Sequence, residues 1–153
     1  MKREMALNRR NGVVEFQSVA EGARLPVYGS SGASGMDVFA LEGALLTRKP
    51  ERVRTGLRLA HLDPGTELQV RPRSGNTWKK GYTVANAPGT IDSDYRGEID
   101  ILLVAFGDEP VSVQAGDRIA QLVLAPVLGG TLRWVDSVIP TERGEAGFGS
   151  TGA

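Results

Sequence analysis

The chain has 153 residues, with eighteen Lys and Arg balancing eighteen Asp and Glu, one His and no Cys. That length suits one domain able to bury roughly two-thirds of its unfolded surface. The even charge gives no overall pull on nucleic acid or anionic lipid, and the missing cysteine excludes disulfides, thiolate nucleophiles and Cys-type zinc sites. Any chemistry must come from carboxylates, arginines, hydroxyls, backbone amides and a hard metal ion.

The opening "MKREMALNRRNG" is basic and lacks the apolar stretch of a signal peptide. No run reaches the length of a membrane-spanning helix. The expectation is a cytoplasmic protein with a mobile arm over 1–12, touching neither membrane nor nucleic acid. Beyond the arm, short β-branched runs predict strands: "VVEF" (13–16), "GMDVFA" (35–40), "RVRTGLRLA" (52–60) and "TELQVRP" (66–72). "YTVA" (82–85), "EIDILLVAF" (98–106), "VSV" (111–113), "RIAQLVLAPV" (118–127) and "LRWV" (132–135) follow. Turn signals separate them at Asp63-Pro64-Gly65, Pro88-Gly89, Gly107-Asp108, Gly116-Asp117 and Gly129-Gly130. The single His61 precedes the first of these turns and reads as a strand end. Many short strands at this spacing predict an all-β domain over 13–140, a jelly-roll-like barrel or sandwich. The near-continuous "ILLVAF" and "IAQLVLAPV" should be buried on both faces, one of which could be a subunit interface. From 141 to 153 the chain is a flexible Gly-rich tail.

Five clusters stand out, each with two readings. Asp37 sits in an apolar strand and must be partnered, because burying a bare carboxylate is costly; a structural bond to turn amides and a metal-linked role stand equally. In "RPRSG", Arg71 to Gly75, an arginine fork, a hydroxyl and a glycine can wrap a phosphate, or form a solvated strand end. "NAPGTIDSDYRGE", Asn86 to Glu98, holds more functional groups than a turn needs. As a hairpin over Pro88-Gly89 it would set Asn86 and the backbone near Thr90 and Ile91 against a base. The Tyr95 ring would lie against a sugar, and ionised Asp92 would be in the state to take a proton from water. Asp94, Arg96 and Glu98 read as structural pairs within or between subunits. "GDRIAQLV" offers Gln121 and Arg118, the latter read as a buried ion pair at a subunit or sheet contact. "GFGSTG", Gly147 to Gly152, matches a dinucleotide fingerprint in letters only, since no strand-turn-helix surrounds it. It is either a plain glycine-rich terminus or a strip that closes over phosphates.

In order and spacing, "ASGMDVFA", "PRSG", "NAPGTIDSDYRGE", "GDRIAQL" and "RGEAGFGSTG" resemble the five motifs of the trimeric dUTP pyrophosphatases (dUTPases). The resemblance implies a homotrimer whose three sites each draw on three chains, and hydrolysis of dUTP to dUMP and pyrophosphate with Mg2+ on the triphosphate. It assigns Asp92 as the base for water attack at the α-phosphorus. Asn86, with the backbone at Gly89, Thr90 and Ile91, would read uracil, and Tyr95 would lie under the deoxyribose. Arg73, Ser74 and Gly75 would hold phosphates with help from Gln121, and Asp37 would meet the metal indirectly, through water. Arg143, Gly147, Phe148, Gly149, Ser150 and Thr151 match the tail that stacks on uracil and clasps the γ-phosphate. One departure follows "PRSG": the family usually continues with small or apolar residues, whereas this chain has Asn76, Thr77 and Trp78. The rivals are a dUTPase-like nucleotide-binding regulator and a dCTP deaminase relative; the latter would carry Arg-Ser-Ser where Arg73-Ser74-Gly75 stands.

Overall fold

The computed structural model describes residues 12–147. Eleven strands lie among them: β1 Val14–Ser18, β2 Val27–Tyr28, β3 Met36–Phe39, β4 Ala44–Leu46, β5 Glu51–Leu62, β6 Thr66–Arg71, β7 Tyr82–Val84, β8 Gly89–Ile91, β9 Glu98–Ala105, β10 Val111–Val113 and β11 Arg118–Pro126. A single π-helical turn, Asn76–Lys80, interrupts them. One sheet runs β1-β5-β9-β7, a second β2-β3-β11-β6-β8, and β10 pairs with β4. Every pairing is antiparallel. The all-β expectation stands. No helix among the described residues is long and apolar enough to cross a membrane.

From β5 to β9 the chain alternates sheets at every strand, so each connection crosses the end of the sandwich. Between the two large sheets lies one core, with Val38, Leu68, Ala120 and Leu122 from one side and Val53, Leu59, Ile101 and Leu103 from the other. Each large apolar side chain buried there contributes about 1.5–3 kcal/mol. β9 alternates strictly, with Ile99, Ile101, Leu103 and Ala105 buried and Leu102 and Val104 half-buried. Continuous hydrophobicity therefore did not mean burial on both faces of this chain.

Two expectations fail. "LRWV" is no strand: Leu132 and Trp134 are almost fully exposed, as are Leu128, Val138 and Ile139, and nothing among the described residues covers them. Nor does "NAPGTID" close a hairpin of neighbouring strands. β7 pairs with β9 and β8 with β6, in different sheets. The tight turn comes earlier, closed by the Ala87 N–H on the Val84 carbonyl, and the Ala87–Pro88 peptide is cis.

A bulge in β5 between Arg54 and Arg58 breaks its ladder with β9. Gly56 takes φ 71° there, and a Cβ would come within 2.9 Å of the Ala23 methyl. Backbone groups freed by the bulge find side-chain partners, as buried polar groups must. The Gly56 N–H donates to Glu98 Oε1 at 2.9 Å, and buried Thr55 Oγ1 donates to the Ile99 carbonyl at 2.6 Å while accepting from the Leu57 N–H at 3.2 Å. Arg54 holds the same carboxylate, Nη2 to Oε2 at 3.1 Å. At the far end of β5, Asp63 accepts from the Val13 N–H and contacts His61 Nε2, which together hold its carboxyl below the usual range. Thr55→Val should lower the urea midpoint, costing about 1–3 kcal/mol for each group it orphans. Thr55→Ser should recover most of that loss.

Candidate active site

The phosphate-type residues gather where β3, β6 and β11 meet. Asp37, only 13% exposed, lies between two arginines: Arg73 Nε at 2.9 Å from Oδ1 and Arg118 Nη1 at 3.3 Å from Oδ2. Two guanidiniums against one carboxylate leave the cluster with an excess positive charge. Arg118 is half-exposed, so its expected ion pair exists but is not buried. Gln121 occupies the central strand, opposite Asp37 on one side and Arg71 on the other, and donates through Nε2 to the Pro72 carbonyl at 2.9 Å. Gly35 makes room for it, since a Cβ there would collide with Gln121 Oε1. Gly35, Asp37, Arg73 and Gln121 line a cavity of about 260 Å³ with the exposed Ser74 and Gly75.

A second irregularity shapes this cluster. The register of β11 shifts between Arg118 and Ala120, and in this stretch the Arg118 and Ile119 carbonyls accept from side chains. Arg73 Nη1 donates to the Arg118 carbonyl at 3.2 Å. Asn76 Nδ2 donates to the same oxygen at 2.8 Å and to the Ile119 carbonyl at 3.3 Å. Asn76, a departure from the family pattern, is thus a buried anchor. Trp78 beside it is 87% exposed.

The nucleoside-type residues line a different cavity, of about 400 Å³: Asn86, Gly89, Thr90, Ile91, Asp92 and Tyr95, with Val70 and Leu102 among its walls. Gly89 is buried against β6, and a Cβ there would meet both Asn86 Nδ2 and Val70 Cβ at 3.2 Å. This wall has little give. Tyr95 folds over Gly97, where any Cβ would collide with its hydroxyl, and donates to the Glu98 carbonyl at 3.1 Å. The Asp92 carboxylate is exposed with no partner among the described residues, while its backbone carbonyl accepts from the Tyr95 N–H at 3.1 Å. Arg96 Nη1 caps the Ser93 and Tyr95 carbonyls and Glu98 clamps the bulge, so both are structural as expected. Asp94, expected to pair, is exposed without a partner among the described residues.

Sequence reasoning missed Arg52 and Asp100, which also line this cavity. Arg52 Nε donates to Asp100 Oδ2 at 3.1 Å, and that bond holds its guanidinium above its ordinary range. Asp100 Oδ1 is buried without a partner among the described residues. Only the cross-strand register of β5 and β9 puts these residues together. No periodicity announces it.

Within one chain the two groups do not share a cavity. β8 and β3 stand three strands apart in their sheet, about 14 Å at ordinary spacing. The arm after β11 is exposed as far as Arg143, whose Nε donates to the Ala146 carbonyl, and Gly147 is half-buried. Phe148, Gly149, Ser150 and Thr151 lie outside the described residues. No cluster of three or more metal-ligating side chains occurs among the described residues. Mg2+ carried on phosphate oxygens uses one or two carboxylates and keeps its waters, so a single carboxylate such as Asp37, with an arginine against each oxygen, fits such an ion through water and not by direct ligation.

The dUTPase family model matches residues 21–152. The deoxyuridine 5′-triphosphate nucleotidohydrolase of Methylocella silvestris is 54% identical over 84% of this chain and 83% of its own. That of Hydrogenobaculum sp. is 46% identical over 89% and 95%. In structure, the chain resembles the dUTPase of Staphylococcus bacteriophage 80alpha with dUpNHpp, with a TM-score of 0.80 at 24% identity over 92% of this chain and 99% of that one. It also resembles an aspartate-to-asparagine mutant of the phage phi11 dUTPase, described with a structural Mg(II) ion, at a TM-score of 0.73 and 20% identity over 82% and 97%.

Behind the phosphate-side cluster, Tyr82 is fully buried and its hydroxyl has no partner among the described residues. Burial pushes its phenol up to about 12, with the Asp117 charge adding to the effect. A phenol whose folded pKa is raised binds its proton more tightly in the fold, so that contribution is lost as pH climbs from about 10 toward 12. Tyr82→Phe should hold or raise the urea midpoint at neutral pH and remove part of the alkaline loss.

Proposed function

Because the chain belongs to the dUTPase family, we propose that it hydrolyses dUTP to dUMP and pyrophosphate by water attack at the α-phosphorus, with Asp92 as general base. The observation that carries this reading is the Asp92 carboxylate, unpaired among the described residues, at a cavity walled by Asn86, Gly89 and Tyr95. An ionised Asp takes a proton from water as the oxygen bonds to phosphorus, and the bond from the α-phosphorus to the bridging oxygen breaks, releasing pyrophosphate. The product dUMP would feed thymidylate synthesis in the cytoplasm.

Phosphoryl transfer asks a protein chiefly for positioning and charge neutralisation. Arg73, Ser74, Gly75 and Gln121 supply donors for the phosphates, and Asp37 fixes Arg73. Bound Mg2+ would neutralise triphosphate charge, with Asp37 reaching it through water. Uracil would be read by Asn86 and by the backbone of Gly89, Thr90 and Ile91. An added methyl is worth about 0.8 kcal/mol of hydrophobic gain, so rejection of dTTP must come from a clash with the unyielding wall. Tyr95 would lie under the deoxyribose and leave no room for a 2′-hydroxyl. Arg143, Gly147, Phe148, Gly149, Ser150 and Thr151 would close over base and γ-phosphate.

A homotrimer accounts for the division of the site. Phosphate-side and nucleoside-side cavities are separate in one chain, the β9 outer face is only half-buried, and the arm from Leu128 to Ile139 exposes large apolar side chains that no described residue covers. Each site would then combine the phosphate cluster of one chain, the nucleoside pocket of another and the tail of a third.

With Mg2+, the protein should release pyrophosphate from dUTP and far more slowly from dTTP, dCTP and UTP. Absence of dUTP turnover at micromolar concentration sinks the enzyme reading and leaves the nucleotide-binding regulator. Asp92→Asn should lower kcat roughly 10²–10⁴-fold while retaining dUTP binding in calorimetry; an active variant would place the base elsewhere.

A further inference from the structure

Resting on the reading of Arg73 as a phosphate holder, we infer that Asn76 is the positioning residue for that arginine, acting through the Arg118 carbonyl. At the irregular stretch of β11 between Arg118 and Ala120, two successive carbonyls are within reach of Asn76. A carbonyl so placed would pair with water or swing with the strand end. Asn76 instead spends its two amide hydrogens on both of them, at 2.8 and 3.3 Å, from a site only 4% exposed. The Arg118 oxygen thereby becomes a fixed second acceptor for Arg73, whose other anchor is Asp37 at 2.9 Å. Two anchors at Nε and Nη1 set the plane of a guanidinium, where one would set only its distance. Its remaining donors then face a phosphate in a single orientation, which a bidentate contact needs.

Asn76 is also tied to the loop it braces. Its own N–H donates to the Arg73 carbonyl at 3.0 Å, as does that of Thr77 at 3.2 Å. Backbone and side chain of one residue thus lock "PRSG" to the start of β11. An apolar side chain in this place could fill the space but not bind either carbonyl.

The test compares inorganic pyrophosphate and dUMP as inhibitors of dUTP turnover, because the arginine meets the polyphosphate and not the nucleoside. Asn76→Leu and Asn76→Asp, the second close in shape but with no amide hydrogens, should each weaken pyrophosphate about tenfold. KM for dUTP should rise in parallel, with dUMP inhibition unchanged. Asn76→Ser, which keeps one donor, covers the case where the other two fail to fold, and should show a smaller shift of the same pattern. Equal loss for pyrophosphate and dUMP would mean general loosening and overturns the inference, as does an unchanged pyrophosphate constant in a folded variant. Arg73→Ala is the control. Should it leave pyrophosphate affinity intact, the phosphate role of Arg73 fails, and the inference with it; a loss there without one at Asn76 overturns the inference alone.

Discussion

The side of this molecule proposed to hold the nucleoside hangs on one carboxylate. Glu98 accepts the Gly56 N–H that the bulge in β5 leaves over, while Arg54 grips it from the side. Glu98 is also the first residue of β9, so the same contact fixes where that strand begins. A slip of one residue would exchange the faces of Glu98 and Ile99, pushing a carboxylate into the core and an isoleucine out of it. Tyr95 would lose its acceptor, because its hydroxyl bonds to the Glu98 backbone. Between Asp92 and Glu98 the chain has little freedom left. Both ends of that loop are set before any ligand arrives.

The phosphate side repeats the device with other residues. There, beside an irregular stretch of β11, Asn76 and Arg73 bind two carbonyls. In both places polar side chains hold backbone groups beside an interrupted ladder, from the neighbouring strand β9 at one and from the connection between β6 and β7 at the other. At the second, the crossing of the chain between sheets brings the connection to the strand. A regular sandwich would satisfy its backbone within the sheets and offer these side chains nothing to hold.

How much of this was legible follows from what periodicity encodes. "TELQV" and "RVRTGLRL" alternate, and β5 and β6 appear where alternation puts them. The residues grouped by resemblance do line two cavities. Periodicity says nothing about which sheet a strand joins, so β7 and β8 were read as one hairpin although they serve different sheets. β2 and β4, two and three residues long, are too short to show a period. The partnership of Arg52 with Asp100 depends on the cross-strand register of β5 and β9, and the anchoring of Asn76 on carbonyls at an irregular stretch of β11. Exposure of "LRWV" escaped for another reason: its apolar content says that something covers it, without saying whether that is the same chain.

The chain has two tryptophans, and neither is in the core: Trp78 is 87% exposed and Trp134 fully so. Its intrinsic fluorescence is therefore nearly blind to the packing of the sandwich. A single folded chain would emit much as an unfolded one does. Any blue shift in the native emission would report indole moved out of water by something other than the core. One spectroscopic signal thus separates the covering of surfaces from folding, a distinction that a β-sandwich with a buried indole does not offer.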